Sequence, residues 1–81
     1  MKTNREMATR VARIARMSQA QKNLALCRAS LNNDADYVRA LLAAGADAHA
    51  DDGYAMRVAI TLGYDEVAGV LLGKEVMGNQ N

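Results

Sequence analysis

The sequence predicts an all-α fold, and two features of its composition carry that prediction. Its 81 residues include no proline, and the residues between the glycines are mostly Ala, Leu, Arg and Met, which favour helices. The β-branched and aromatic residues that favour strands are sparse, with three Tyr and no Phe or Trp. A chain of this length forms one domain. Because much of its apolar content is alanine, we expect a thin core.

The first predicted element is a basic amphipathic helix. Residues 3–6, Thr-Asn-Arg-Glu, form a capping box in which the Thr hydroxyl and the Glu carboxylate accept from free backbone N–H groups. Met7, Val11 and Ile14 follow at the spacing of one helix face, with arginines expected on the opposite face. We assign residues 1–17 to this helix, which caps the rest of the chain.

The second predicted helix spans about residues 19–31. Ser18 and Gln21 form a second capping box at its start, and Asn32-Asn33 close its end. The side chains expected to point inward are Leu24, Leu26 and Ala29.

A third helix begins at Asp34, which suits the N-cap position, and ends at Gly45, where a left-handed residue is needed. Residues 46–53 lack large apolar side chains and predict a connecting loop. A fourth helix over about 54–62 and a fifth over about 65–72 follow, separated by Gly63 and ended by Gly73. Residues 74–81 are expected to form a frayed tail.

An internal repeat relates the helical pairs. Residues 26–29, Leu-Cys-Arg-Ala, align with residues 56–59, Met-Arg-Val-Ala, at an offset of 30 residues. The segment ADYVRALLAAGADAHA at 35–50 resembles the second helix and following loop of an ankyrin repeat, E-x-V-x-x-L-L-x-x-G-A-D-x-N-A, and residues 55–67 resemble the start of the next repeat. The chain lacks the family's Thr-Pro start, has Cys27 and Arg57 in place of its His, and has a shorter period.

This resemblance covers about residues 19–73 and implies an ankyrin-like domain of two repeats, which we assign to residues 18–73 within a single domain. It also implies binding of a protein partner through the concave side. Carried over position by position, the partner-facing residues are Leu31, Asn32, Asp51, Tyr54, Thr61 and Leu62.

Charge is divided unevenly along the chain. Residues 1–30 carry seven cations against one anion, whereas residues 31–81 carry three cations against eight anions. This polarity indicates an N-terminal surface attracted to an acidic partner, although a merely solvated helix face has the same composition. The candidate partner-binding arginines are Arg5, Arg10, Arg13 and Arg16.

No motif for catalysis or cofactor binding is evident. Cys27 and His49, the single Cys and the single His, lie 22 residues apart in different predicted units, which gives a nucleophilic pair little support. The glycines lack the Lys-Ser/Thr of a phosphate-binding loop. Asp47, His49 and Asp51 have a spacing that could suit a metal, but the ankyrin pattern accounts for the first two as loop residues. We expect no enzyme activity, no catalytic residue, no cofactor and no metal.

These observations favour a small, non-enzymatic protein–protein interaction module. It would be an adaptor or an inhibitor that binds one larger protein with an acidic surface, such as a bacterial or phage inhibitor of a host protein complex. The alternative is a nucleic-acid-binding protein that uses the N-terminal arginine face, although residues 1–30 hold no aromatic side chain for stacking on bases.

Two further expectations concern assembly and location. Two repeats leave apolar surface uncovered, so a homodimer is expected. A lone cysteine suits a reducing compartment, and no apolar run approaches the roughly 20 residues that cross a bilayer, so we expect a cytoplasmic protein without a membrane partner.

Overall fold

Five helices make up the described part of the chain. The computed structural model describes the backbone of residues 2–73 and the side chains of residues 9–73. No strand occurs within residues 2–73, so the all-α prediction is confirmed there. The helices are α1 (Lys2–Ala15), α2 (Gln19–Leu31), α3 (Ala35–Ala43), α4 (Ala50–Leu62) and α5 (Asp65–Leu72).

The predicted caps begin α2 and α3. The Gln21 N–H donates to Ser18 Oγ at 3.1 Å, and the Ser18 N–H donates to Gln21 Oε1 at 2.9 Å, which completes the capping box. Asp34 Oδ1 accepts from the Tyr37 N–H at 3.2 Å at the start of α3. The sequence therefore located both of these helix starts correctly.

The same turn closes α2 and α4. After α2, the Asp34 N–H donates to the Ala29 carbonyl at 2.9 Å around Asn33, whose φ is 56°. After α4, the Tyr64 N–H donates to the Ala59 carbonyl at 2.8 Å around Gly63. Both are Schellman turns, which need a left-handed residue just past the helix. They lie 30 residues apart in the sequence.

A left-handed turn precedes the regular part of α4. Asp51, Asp52 and Gly53 have φ values of 54°, 60° and 74°. Asp tolerates this region better than most residues because its short side chain forms local hydrogen bonds. The right-handed helix therefore runs from Tyr54, where the sequence predicted that the fourth helix begins.

The helices pack in two layers. One layer holds α2 and α4 side by side; the other holds α1, α3 and α5, with α3 against α2 and α5 against α4. Arg10 of α1 meets Tyr37 of α3, whereas Arg39 of α3 reaches Glu66 of α5. Residues two apart on a helix point about 200° apart, so α1 and α5 flank α3 on opposite sides.

Hydrogen bonds from the start of α2 fix the direction of α4. Lys22 Nζ donates to the Ala44 carbonyl at 2.9 Å, and the Asp47 N–H donates to Asn23 Oδ1 at 2.8 Å. The α3–α4 connection therefore lies at the first turns of α2. Since α4 starts there and packs beside α2, the two helices run in the same direction.

The core lies between the layers and is rich in alanine, as the composition predicts. Among the described residues, Ser30 is the one buried polar side chain, and its Oγ donates to the Leu26 carbonyl at 2.8 Å. The buried apolar members are Ile14, Leu26, Cys27, Ala29, Ala35, Val38, Leu41, Ala46, Ala55, Ala59, Val67 and Leu71.

Two predicted inward-facing side chains are exposed instead. Val11 is 53% exposed because the covered side of α1 carries Arg10, which pairs with Asp34, and the buried Ile14. Met17, just after α1, also packs against the core, so the covered stripe is rotated from the predicted one. Leu24 is 54% exposed because the neighbours of α2 cover the side that carries Leu26 and Cys27.

Several predicted features lie outside the described residues. These are the side chains of the 3–6 capping box, the side chains of Met7 and Arg5, and the tail at 74–81. Within residues 2–73, no helix combines the length and apolar character needed to cross a membrane.

Candidate functional site

A groove of about 490 Å³ opens along the side of α2 that faces away from α4. Met17, which follows α1, and the first residues of α3 complete its lining. The mixture of aliphatic, aromatic and polar side chains is typical of a surface that binds another molecule. The lining residues are Met17, Gln21, Leu24, Ala25, Arg28, Ala29, Asn32, Asp34 and Tyr37. We call this the α2 groove.

The two-layer packing explains why the groove is open. The layer with α1, α3 and α5 has three helices, whereas the layer with α2 and α4 has two. Within residues 2–73, no helix of the second layer therefore lies beside α1. The comparison with α4 supports this: Ala55, 30 residues after Ala25, is 2% exposed where α4 packs beside α2, whereas Ala25 is only half-buried.

Charge at the groove is positive. Asp34 contributes a carboxylate, but Arg10 Nη1 lies 3.1 Å from its Oδ2, and the same guanidinium stacks 4.9 Å from the centre of the Tyr37 ring. Arg28 lines the groove, is exposed and has no ion pair within the described residues, whereas Arg16 lines a separate depression on α1 with Thr9, Ala12 and Arg13. An acidic ligand would thus find one unpaired cation in the groove.

The predicted arginine face is divided by the structure. Arg10 is turned towards α3, where it pairs with Asp34, so it does not share the solvent-facing row with Arg13 and Arg16 as predicted. Arg13 and Arg16 are exposed on α1 and just after it. Arg5 lies outside the residues whose side chains are described.

The residues expected on the concave side lie at two ends of the α2 and α4 pair. Because the helices run in the same direction, the exposed residues at their C-terminal ends belong to one end of the fold: Leu31, Asn32, Thr61 and Leu62. Asp51 and Tyr54 are also exposed. They belong to the start of α4, and Tyr54 lies about 12 Å along the helix axis from Leu62. Asn32 is the one predicted site residue that lines the α2 groove.

Sequence reasoning missed most of the groove. The sequence predicts that Leu24 points inward, assigns Gln21 a capping role only, and assigns Arg28 no role in binding. The available signal was the spacing of Gln21, Leu24 and Arg28, which places them on one face of α2. That spacing could not show that no helix covers this face.

The cysteine and the polar loop offer no reactive arrangement. Cys27 is buried, and burial, followed by the charge of Asp51, raises the pKa of its thiol above the ordinary value. A thiol that resists ionisation is a poor nucleophile. Asp47 Oδ1 accepts from the His49 N–H at 2.9 Å, so this carboxylate holds the loop. Within the described residues, no group of three His, Cys, Asp or Glu could hold a metal ion.

Comparison with known proteins identifies no relative. No family model matches the chain, and neither a curated protein nor a solved structure matches it.

Proposed function

We propose that the chain is a small, non-enzymatic protein-binding module. It would act as an adaptor or inhibitor that binds one larger protein at an acidic surface of that protein. The observation that carries this proposal is the open α2 groove with Arg28, which has no ion pair in the described residues, in its lining. An apolar floor with a charged edge is typical of protein interfaces, in which apolar contacts supply affinity and charges steer association.

The proposal includes an ankyrin-like organisation, in which α1 caps two helix–turn–helix units. Its support is the Schellman turn that recurs after Ala29 and Ala59, together with the stacking of α3 on α5 and α2 beside α4. Stacked units of this kind present long surfaces for partners. We also place the chain in the cytoplasm, since a free buried thiol such as Cys27 suits a reducing compartment.

A nucleic-acid-binding function is the second candidate, because Arg13 and Arg16 are exposed. The geometry favours it less. Arg10 is held by Asp34 and Tyr37, which removes one cation from the predicted row. Phosphate contacts would make affinity fall steeply with salt, with a log–log slope of about −0.9 per phosphate contacted on duplex DNA.

A pull-down from a lysate of the source organism tests the proposal. The bait is the full chain, compared with a variant in which Arg13, Arg16 and Arg28 are all changed to Gln. Each bait is tested with and without nuclease treatment of the lysate. We expect a specific protein to be retained by the unchanged chain and lost with the triple variant.

The retained protein is then purified and rebound in increasing salt, where the arginine-dependent part of association should slow. Equal retention by both baits, or by neither, would contradict the proposal. Retention that disappears with nuclease would favour the nucleic-acid alternative. Circular dichroism controls for folding, which surface changes alter by only about 0.5 kcal/mol each.

A further inference from the structure

We infer that the α2 groove binds a single amphipathic helix of the partner, with small apolar residues on its buried face and Asp or Glu beside them. This inference rests on the proposed function, since it names the part of the partner protein that the groove holds.

The shape of the α2 groove follows from the packing of the two layers. Each of α3 and α5 has a helix of the second layer packed against it, namely α2 and α4, whereas no described helix of that layer lies beside α1. Packed helices lie about 8–10 Å apart, axis to axis. A helix placed at that distance from α2, on its groove side, would lie along α2 as α4 does on the other side.

The lining sets the chemistry of the helix. Ala25 and Ala29 leave room for close approach, and Leu24 offers an exposed apolar side chain at the rim. A helix with small apolar residues at positions i, i+3, i+4 and i+7 presents one apolar face that suits such a groove. Arg28, which lines the groove and has no ion pair in the described residues, favours carboxylates along the flank of that helix.

The packing admits one helix and not a pair. A second copy of this chain could offer α4 to the groove, but α4 carries α5 against it. In the first layer, α1 already occupies the place that α5 would need. A lone helix meets no such obstacle, so the occupant is a helix of another protein and not a second copy stacked end to end.

Designed peptides of about 15–18 residues, long enough to form a helix, test the inference on the full chain. The first peptide places Ala and Leu on one face with Glu on the flanks; the second has the same composition in scrambled order; the third replaces Glu by Lys. Fluorescence anisotropy measures their affinities. We expect the acidic amphipathic peptide to bind and the other two to bind at least about tenfold more weakly.

Two matched variants locate the binding. Leu24→Ser changes the groove, whereas Leu72→Ser changes a similarly exposed leucine at the end of α5, 54% against 47%. Leu24→Ser should weaken binding of the acidic peptide about tenfold or more, as loss of an interface anchor does. Leu72→Ser should leave it unchanged. Both side chains are exposed, so both variants should fold.

Three results would overturn the inference. The first is equal affinity for all three peptides, and the second is equal weakening by the two variants. The third is light scattering that shows a dimer of the chain which Leu24→Ser dissociates, because the groove would then hold a second copy. If no peptide binds while the arginine-dependent partner is still retained from the lysate, the helix inference fails and the proposed function stands.

Discussion

Replacing Arg10 by Gln should destabilise the fold, although the sequence places this residue in a row of solvated arginines. In the structure its guanidinium lies 4.9 Å from the centre of the Tyr37 ring and 3.1 Å from Asp34 Oδ2. A cation–π contact at an exposed site contributes about 0.5–1 kcal/mol. The ion pair, whose side chains are 42% and 30% exposed, contributes at most about 1 kcal/mol.

The expected loss is therefore about 1 kcal/mol of unfolding free energy, or about 4–8 °C in melting temperature for a domain of this size. Arg13→Gln, the matched control, should cost at most about 0.5 kcal/mol, since Arg13 is exposed and contributes through its place in the last turn of α1. Thermal and urea unfolding followed by circular dichroism measure both. Asp34→Asn keeps an N-cap side chain but removes the charge, so a double-mutant cycle with Arg10→Gln isolates the ion pair. An Arg13 variant as unstable as the Arg10 variant would refute the register assigned to α1.

Three further predictions concern the core, the turns and the thiol. Leu26→Ala should lower the unfolding free energy by about 2–5 kcal/mol in urea, whereas Leu24→Ala should change it by less than about 0.5 kcal/mol; equal effects would contradict their burial. Gly63→Ala, at φ 75°, should lower the unfolding free energy by about 1 kcal/mol. Gly69→Ala should raise it by about 1 kcal/mol, because Gly69 lies inside α5 and an added Cβ meets no atom within 4 Å. Melting temperatures that shift in the same direction for both variants would contradict this prediction. Because burial raises the pKa of the Cys27 thiol from 9.0, the contribution of this thiol to stability should be constant at lower pH and should fall as pH rises past about 9, where the thiol of the unfolded chain ionises first. Cys27→Ala should remove that part of the decline in a pH series of urea melts.

Helix ends could be predicted from the sequence because their chemistry is local. Ser18 and Gln21 satisfy each other across one turn, and Asp34 caps the N–H of a residue three positions on. Gly45, with φ 102°, takes the conformation that a Schellman turn requires, and the Ala46 N–H closes it on the Leu41 carbonyl at 2.9 Å. Each of these signals is contained within six residues.

The buried side of each helix could not be predicted in the same way. An apolar spacing shows that a helix has a face, but the neighbouring helices decide which face is covered. Leu24 is exposed because none of the described helices lies on its side of α2. Arg10 is turned towards α3 because the N-cap Asp34 and the Tyr37 ring lie there. The groove depends on the lack, among the described helices, of one on the side of α2 away from α4, which is a property of the packed layers. Of the predicted site residues whose side chains are described, Asn32 alone lines it.

Chemical-shift mapping tests most directly that the α2 groove is the binding surface. The full chain, labelled with ¹⁵N, is titrated with the acidic amphipathic peptide while its amide resonances are followed. The account predicts the largest shifts at Met17, Gln21, Leu24 and Arg28, with resonances of α5 unchanged. Largest shifts at Tyr54, or at the C-terminal ends of α2 and α4 away from the groove, would contradict it.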